Sequence, residues 1–295
     1  MDLGKKSKKF VLAYFSGTGC TKAVCDCFEQ QLRKEEIDCI KVNVADQEQL
    51  DLGDADTLVI FSPVYAFRLA SIMEKWIKSL PKVRNRSAVI ISVSGGGEIS
   101  PNTACRIPCR RLLEKKGYEL QYEKMIIMPS NFAVQAEEKL NLELLTVLPD
   151  KINRTVLDIL DEKKCVSVPK LQDRVFAVGG KAEHFGAGIF GACIRTTKDC
   201  SKCGFCVRNC PQKNIRMVKG RPKFGFHCMW CLKCIYQCPC KALTPGILKF
   251  SVLKEGFDLR EMNRKAEEAS VRSDHRQEKN LLWQGVIDYL SSDDC

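Results

Sequence analysis

Two stretches of this chain, CSKCGFCVRNCPQKNI and CMWCLKCIYQCPCKAL, align at an offset of 28 residues and match at four cysteines, a proline and a lysine. A repeat this short and this rich in cysteine reads as two copies of a metal-binding unit. The chain carries 18 cysteines, eight of them between Cys200 and Cys238. Its start, MDLGKKSKKF, leads into a strand-like segment rather than a long apolar signal region. No apolar run reaches the roughly 18 residues of a membrane span. A cytoplasmic protein is therefore expected, with no membrane partner. In a reducing compartment the thiols stay free for metal or redox chemistry rather than pairing as disulfides.

Each copy has the spacing C-x2-C-x2-C-x3-C-P, with Cys200, Cys203, Cys206, Cys210 and Pro211 in the first. Cys228, Cys231, Cys234, Cys238 and Pro239 form the second. This is the spacing of bacterial iron–sulfur ligands, in which the fourth cysteine serves the other cluster. Three cysteines two residues apart converge on one cubane, the fourth lies beyond a helical turn, and proline turns the chain back. The expected sets are Cys200, Cys203, Cys206 with Cys238, and Cys228, Cys231, Cys234 with Cys210. Zinc is the alternative, although zinc sites commonly use two well-separated ligand pairs. Cys240 lies outside the ligand pattern and reads as an ordinary thiol, while the remaining cysteines lack ligand spacing and read as small buried apolar groups. The region resembles the bacterial two-cluster (2×4Fe-4S) ferredoxins over about residues 195–245, which implies low-potential electron transfer.

The formal charge of +11 is unevenly spread. Residues 1–165 hold 25 Lys+Arg against 23 Asp+Glu, whereas residues 166–295 hold 22 against 13. A basic half can mark nucleic-acid binding. Thiolate-ligated clusters would remove roughly two charges each, so the excess is read as solvating bound anions, and no nucleic-acid partner is expected. Arg208, Lys213, Arg216, Lys219, Arg221 and Lys223 fall in one stretch. They would steer acidic redox proteins or simply form a solvated face.

The first half alternates strand and helix patterns. Strands are expected at Phe10 to Phe15, Cys39 to Val44, Thr57 to Phe61, Ala88 to Val93 and Met125 to Met128. Helices are expected at Thr21 to Lys34, Ser71 to Leu80 and Thr103 to Lys116. This alternation predicts a parallel sheet covered on both faces. Val134 to Lys164 reads as two helices broken at Pro149. The glycine-spaced run from Val166 to Ile194 reads as an irregular linker. The expected division is residues 1–165, a linker at 166–194, the cysteine domain at 195–250 and a helical tail at 251–295.

After the first strand comes Ser16-Gly17-Thr18-Gly19-Cys20-Thr21, opening a helix. Free N–H groups at a helix start, glycines that allow close approach and three hydroxyls suit a phosphate. The same turn is also an ordinary N-cap. No Walker lysine and no G-x-G-x-x-G follow, which disfavours a nucleoside triphosphate or dinucleotide. The arrangement resembles the flavodoxins, whose FMN lies where strand order reverses. The resemblance implies an α/β, doubly wound, five-stranded parallel sheet of order 2-1-3-4-5. It also implies two ring-flanking loops, Pro63-Val64-Tyr65-Ala66-Phe67 and Ser94-Gly95-Gly96-Gly97, with Tyr65 and Phe67 as stacking candidates.

The whole order is similar to flavodoxin–ferredoxin fusions of anaerobic bacteria and archaea, with a small α+β two-cluster domain and a C-terminal helical tail after the sheet. That resemblance implies FMN, two 4Fe-4S clusters and a relay of electrons to redox protein partners. The alternative is a flavin-dependent reductase of a quinone, nitro compound or oxygen species.

Overall fold

The computed structural model describes residues 8–46, 55–169, 171–178, 181–269 and 282–292. Part of the expected helical tail, residues 270–281 with His275, lies outside the described residues, as does Cys295. Strands β1 (Phe10–Tyr14), β2 (Cys39–Asn43), β3 (Thr57–Tyr65) and β5 (Arg86–Ser94) run parallel with β6 (Tyr118–Ile127). A two-residue strand, β4 (Arg68–Leu69), folds back antiparallel on β3. The order β2-β1-β3-β5-β6 is 2-1-3-4-5 for the five long strands.

Alternate residues of the central strands feed two cores. Phe10, Leu12, Val59, Phe61, Val89 and Ile91 pack on one face against α1 (Cys20–Lys34) and α4 (Glu138–Leu160). Val11, Ala13, Leu58, Ile60, Ala88 and Ile90 pack on the other against α2 (Ser71–Ser79) and α3 (Ile107–Lys115). Burial on both faces explains why these strands read as unbroken apolar runs. Cys25, Cys105 and Cys109 are buried in these cores, as expected of small apolar side chains. Cys165 departs from that expectation by being disulfide-bonded.

Gly117 joins α3 to β6 at φ +89°, a left-handed value that a side chain resists. A Cβ there would also lie 1.9 Å from the Val83 carbonyl oxygen. Gly117→Ala is expected to destabilise the sheet by at least ~2 kcal/mol, read as a lowered denaturant midpoint.

Two helical expectations need correction. Residues 138–160 form one 23-residue helix with Pro149 inside, not two. Proline removes the bond to the Leu145 carbonyl, yet Leu144, Leu145 and Leu148 before it and Ile152, Val156 and Ile159 after it are buried on one face. The glycine-spaced linker is helical too, as α5 (Leu171–Val178) and α6 (Lys181–Cys193). Its glycines serve close packing: a Cβ at Gly188 would meet Phe226 at 2.4 Å and one at Gly191 would meet Cys228 Cβ at 2.4 Å.

The cysteine region contains β7 (Arg195–Thr196), α7 (Phe205–Arg208), β8 (Ile215–Val218), β9 (Arg221–Phe224), α8 (Lys233–Tyr236) and β10 (Leu243–Thr244). The tail supplies α9 (Leu259–Ala269) and α10 (Gln284–Ser291), both packed on α4. No helix among the described residues is long and apolar enough to cross a membrane.

Candidate functional site: a flavin-sized cavity against a paired cysteine module

A cavity of about 560 Å³ opens at the carboxyl ends of β1, β3 and β5. Such a volume lies in the range of small-ligand sites. The first loop contributes Ser16, Gly17, Thr18, Cys20 and Thr21; the second contributes Pro63 to Phe67; the third contributes Ser94, Gly95 and Gly96. Two expected residues do not line it. Gly19 is the N-cap of α1 and packs near Leu259, while Gly97 abuts the backbone of Gly285 in α10. The second loop is a tight turn: Pro63, Val64 and Tyr65 end β3, and Ala66 and Phe67 turn the chain into β4.

The α1 start has no side-chain cap and no acidic residue in its first turn. Its N–H groups and positive dipole end are thus available to an anion. Ser16 Oγ accepts the Gly19 N–H at 3.1 Å, and the Asn131 amide donates to Thr18 Oγ1. The Tyr65 ring lines the cavity, but its hydroxyl sits at Gly17, so Tyr65 reaches toward the first loop. Burial holds that hydroxyl well above the usual tyrosine range. Beneath the third loop, buried Arg106 donates to Ser92 Oγ at 2.9 Å and to Glu98. Glu123, also buried, accepts from Arg110 at 3.0 Å and from Ser167 Oγ at 2.9 Å. These fixed groups hold the glycine run in place.

Further walls come from segments the sequence reading did not assign: residues 128–132, Asn102 and Val134, Trp230 of the second cysteine copy, and Leu282 with Trp283 before α10. Residues 128–132 follow the last sheet strand at the same edge, a positional signal that was available. Trp283 had none, because its place depends on how the tail docks.

The cysteine module carries its duplication in its backbone. Left-handed residues Lys202, Gly204 and Lys213 recur 28 positions later as Trp230, Leu232 and Lys241. The Asn214 N–H donates to Cys210 Sγ at 3.3 Å, and the equivalent Ala242 N–H donates to Cys238 Sγ at 3.4 Å. The strand following each fourth cysteine then selects its neighbours. β10 pairs with β7, returning Cys238 to the first copy, while β8 pairs with β9, bringing Cys210 to the second. Cys200, Cys203, Cys206 and Cys238 accordingly line one small cavity. Cys210 lies within electrostatic reach of Cys228, Cys231 and Cys234. Burial pushes the thiols of Cys228 and Cys231 up to about 11 and about 12. Among the described residues no three His, Cys, Asp or Glu converge on a single-ion site.

The two sites adjoin. A Cβ on Gly17 would fall 2.4 Å from the Cys231 carbonyl oxygen. Met229 and Cys231 belong to the apolar core beside the sheet, and Trp230 stacks edge-on with Phe132 at 5.4 Å. Cys203 and Cys240 are exposed to solvent.

Residues 11–126 match the family described as flavodoxin domain. The N-terminal domain is flavodoxin-like. Among solved structures, a flavodoxin from the domain Archaea is 16% identical and covers 52% of this chain and 97% of its own, with a TM-score of 0.37. A flavodoxin of Streptococcus pneumoniae is 14% identical, covering 52% and 99%, with a TM-score of 0.38. A Fusobacterium nucleatum flavodoxin bound to flavin mononucleotide is 18% identical, covering 53% and 99%, with a TM-score of 0.39. No curated protein matches the chain.

Proposed function

We propose that this chain is an electron-transfer protein holding FMN in the large cavity and two 4Fe-4S clusters on the eight spaced cysteines. The observation that carries the reading is the contact between the two sites. Trp230, flanked by Cys228 and Cys231, lines the cavity, and the Cys231 carbonyl packs on Gly17 of the first loop. The chain's own residues fit the groups. The uncapped α1 start with Ser16, Thr18 and Thr21 suits a phosphate, and the gap between the second and third loops suits a flat ring. Four thiols around one cavity, with a backbone N–H donated to Cys238 there and another to Cys210 of the second set, suit multi-iron centres.

FMN exchanges one or two electrons and each cluster one, so the pairing joins two-electron to one-electron chemistry. The protein's part is to hold both cofactors at adjoining positions and to exclude water with Phe132, Trp230 and Trp283. Protein purified without oxygen is expected to contain about eight irons and one FMN per chain. Zinc in place of iron overturns the cluster reading. Rapid turnover of a quinone or nitro compound with no protein carrier moves the function to the reductase alternative.

A further inference from the structure

We infer that an acidic one-electron carrier protein docks on the cationic face over the Cys200, Cys203, Cys206 and Cys238 set, making this set the outer port of the relay and leaving the Cys210, Cys228, Cys231 and Cys234 set as the inner step to the cavity. The inference rests on the function proposed above and adds the port, its order and the partner's chemistry.

The order follows from placement. The second set is tied to the flavin-sized cavity through Trp230 and Cys231, and Cys231 is buried. The first set lines its own cavity at the surface, where Cys203 is exposed. α7, which carries Cys206, packs against α8, which carries Cys234, so the sets are neighbours. The walls of the large cavity include no Lys, Arg, Asp or Glu among the described residues, and so offer a charged protein no complementary surface.

The surface over the first set is the reverse. Residues 195–245 contain eleven lysines and arginines and one aspartate. One face of the β8–β9 hairpin carries Met217 and Pro222, which line the first-set cavity. Its opposite face pairs Arg216 directly with Lys223, next to Arg221, and all three are exposed. Like charges directly across a strand pair oppose the hairpin's stability, which marks this face as suited to an external anion rather than to the fold. Lys219 sits in the turn, and the Lys202 ammonium lies 4.0 Å from where a Gly220 side chain would begin. Among the described residues none of these five cations makes an ion pair. Roughly four negative charges on two loaded clusters still leave the region strongly positive. An acidic patch on a soluble carrier is complementary to it.

In the transfer itself, the reduced carrier would give one electron to the iron–sulfur cluster that Cys200, Cys203, Cys206 and Cys238 would hold. The carrier is oxidised by one electron, no bond forms or breaks, and two such events deliver a two-electron equivalent inward.

The test mixes the full-length, cofactor-loaded protein with a reduced acidic two-cluster bacterial ferredoxin and follows flavin absorbance by stopped flow. Arg216→Glu with Lys223→Glu should lower the second-order rate at least tenfold at low ionic strength, and about 0.5 M salt should erase the difference. Sedimentation of the same pair, which needs no turnover, should show lost binding. An equal charge change at the far end of the sheet, Lys82→Glu with Arg84→Glu, should leave both readouts near the parent. An unchanged rate and binding in the hairpin variant, an equal loss in the remote variant, or preferential binding of duplex DNA at the hairpin overturns the inference. Iron and FMN content on the same samples separates the two readings. Loaded protein indifferent to the hairpin charges overturns the port alone, whereas protein without iron overturns the proposed function and the port with it.

Discussion

Cys210→Ala is expected to halve the iron, to about four per chain, by removing the cluster held with Cys228, Cys231 and Cys234 while sparing the other. Cys210 belongs by sequence to the first copy, so position along the chain predicts the opposite loss. The hairpin decides otherwise: β8 follows Cys210 and pairs at once with β9, whose end leads into Cys228. The separate pairing of β10 with β7 returns Cys238 to Cys200. A double variant makes the distinction sharp. Cys203→Ala alone should also leave about four irons, and Cys203→Ala with Cys210→Ala should leave almost none, because each removes a ligand from a different cluster. If both cysteines served one cluster, the double variant would keep the four irons of either single variant. Iron analysis and low-temperature paramagnetic spectra of the reduced proteins separate these outcomes. FMN content should hold in each variant with intact Gly17, Thr18 and Thr21, since the first loop is built by β1 and α1.

Much of this architecture was legible because it rests on local rules. Apolar runs such as Val59, Ile60 and Phe61 announce strands buried on both faces, and the cysteine spacing announces a unit duplicated at 28 residues, whose left-handed backbone positions recur in the same way. The loop after the first strand was found from its glycines and hydroxyls at a helix start, and those after the third and fourth long strands from position, since a sheet that reverses its order at the first strand must open a crevice there. What escaped was set by tertiary contact. Gly186, Gly188 and Gly191 read as breakers, yet they let α6 approach Trp230, Phe226 and Cys228 closely. Pro149 reads as a break, yet buried leucines on either side hold one helix. Trp230 carried no signal in the sequence, and its place at the cavity exists only because the second cysteine loop enters the core beside the sheet.

That entry makes Gly17 the most sensitive single position in the proposed cofactor site. A Cβ there would lie 2.4 Å from the Cys231 carbonyl oxygen and 2.7 Å from the Tyr65 hydroxyl. The tyrosine can swing away, but the carbonyl is backbone between buried residues and cannot move without shifting Cys231 itself. Gly17→Val should therefore force the first loop and the cysteine loop apart, disturbing phosphate contacts and one cluster ligand together. FMN affinity is expected to fall by about 100-fold, equivalent to ~2.7 kcal/mol, with a simultaneous change in the spectrum of the inner cluster. Gly186→Ala is the matched control, because its Cβ would meet Trp230 at an ordinary 3.7 Å and alanine favours the helix. It should retain both flavin and iron. A Gly17→Val protein with parent flavin affinity would mean that the two loops do not bear on each other in the loaded protein. Loss of flavin with an unaltered cluster spectrum would confine the effect to the phosphate loop and remove the Cys231 contact as the link between the two centres.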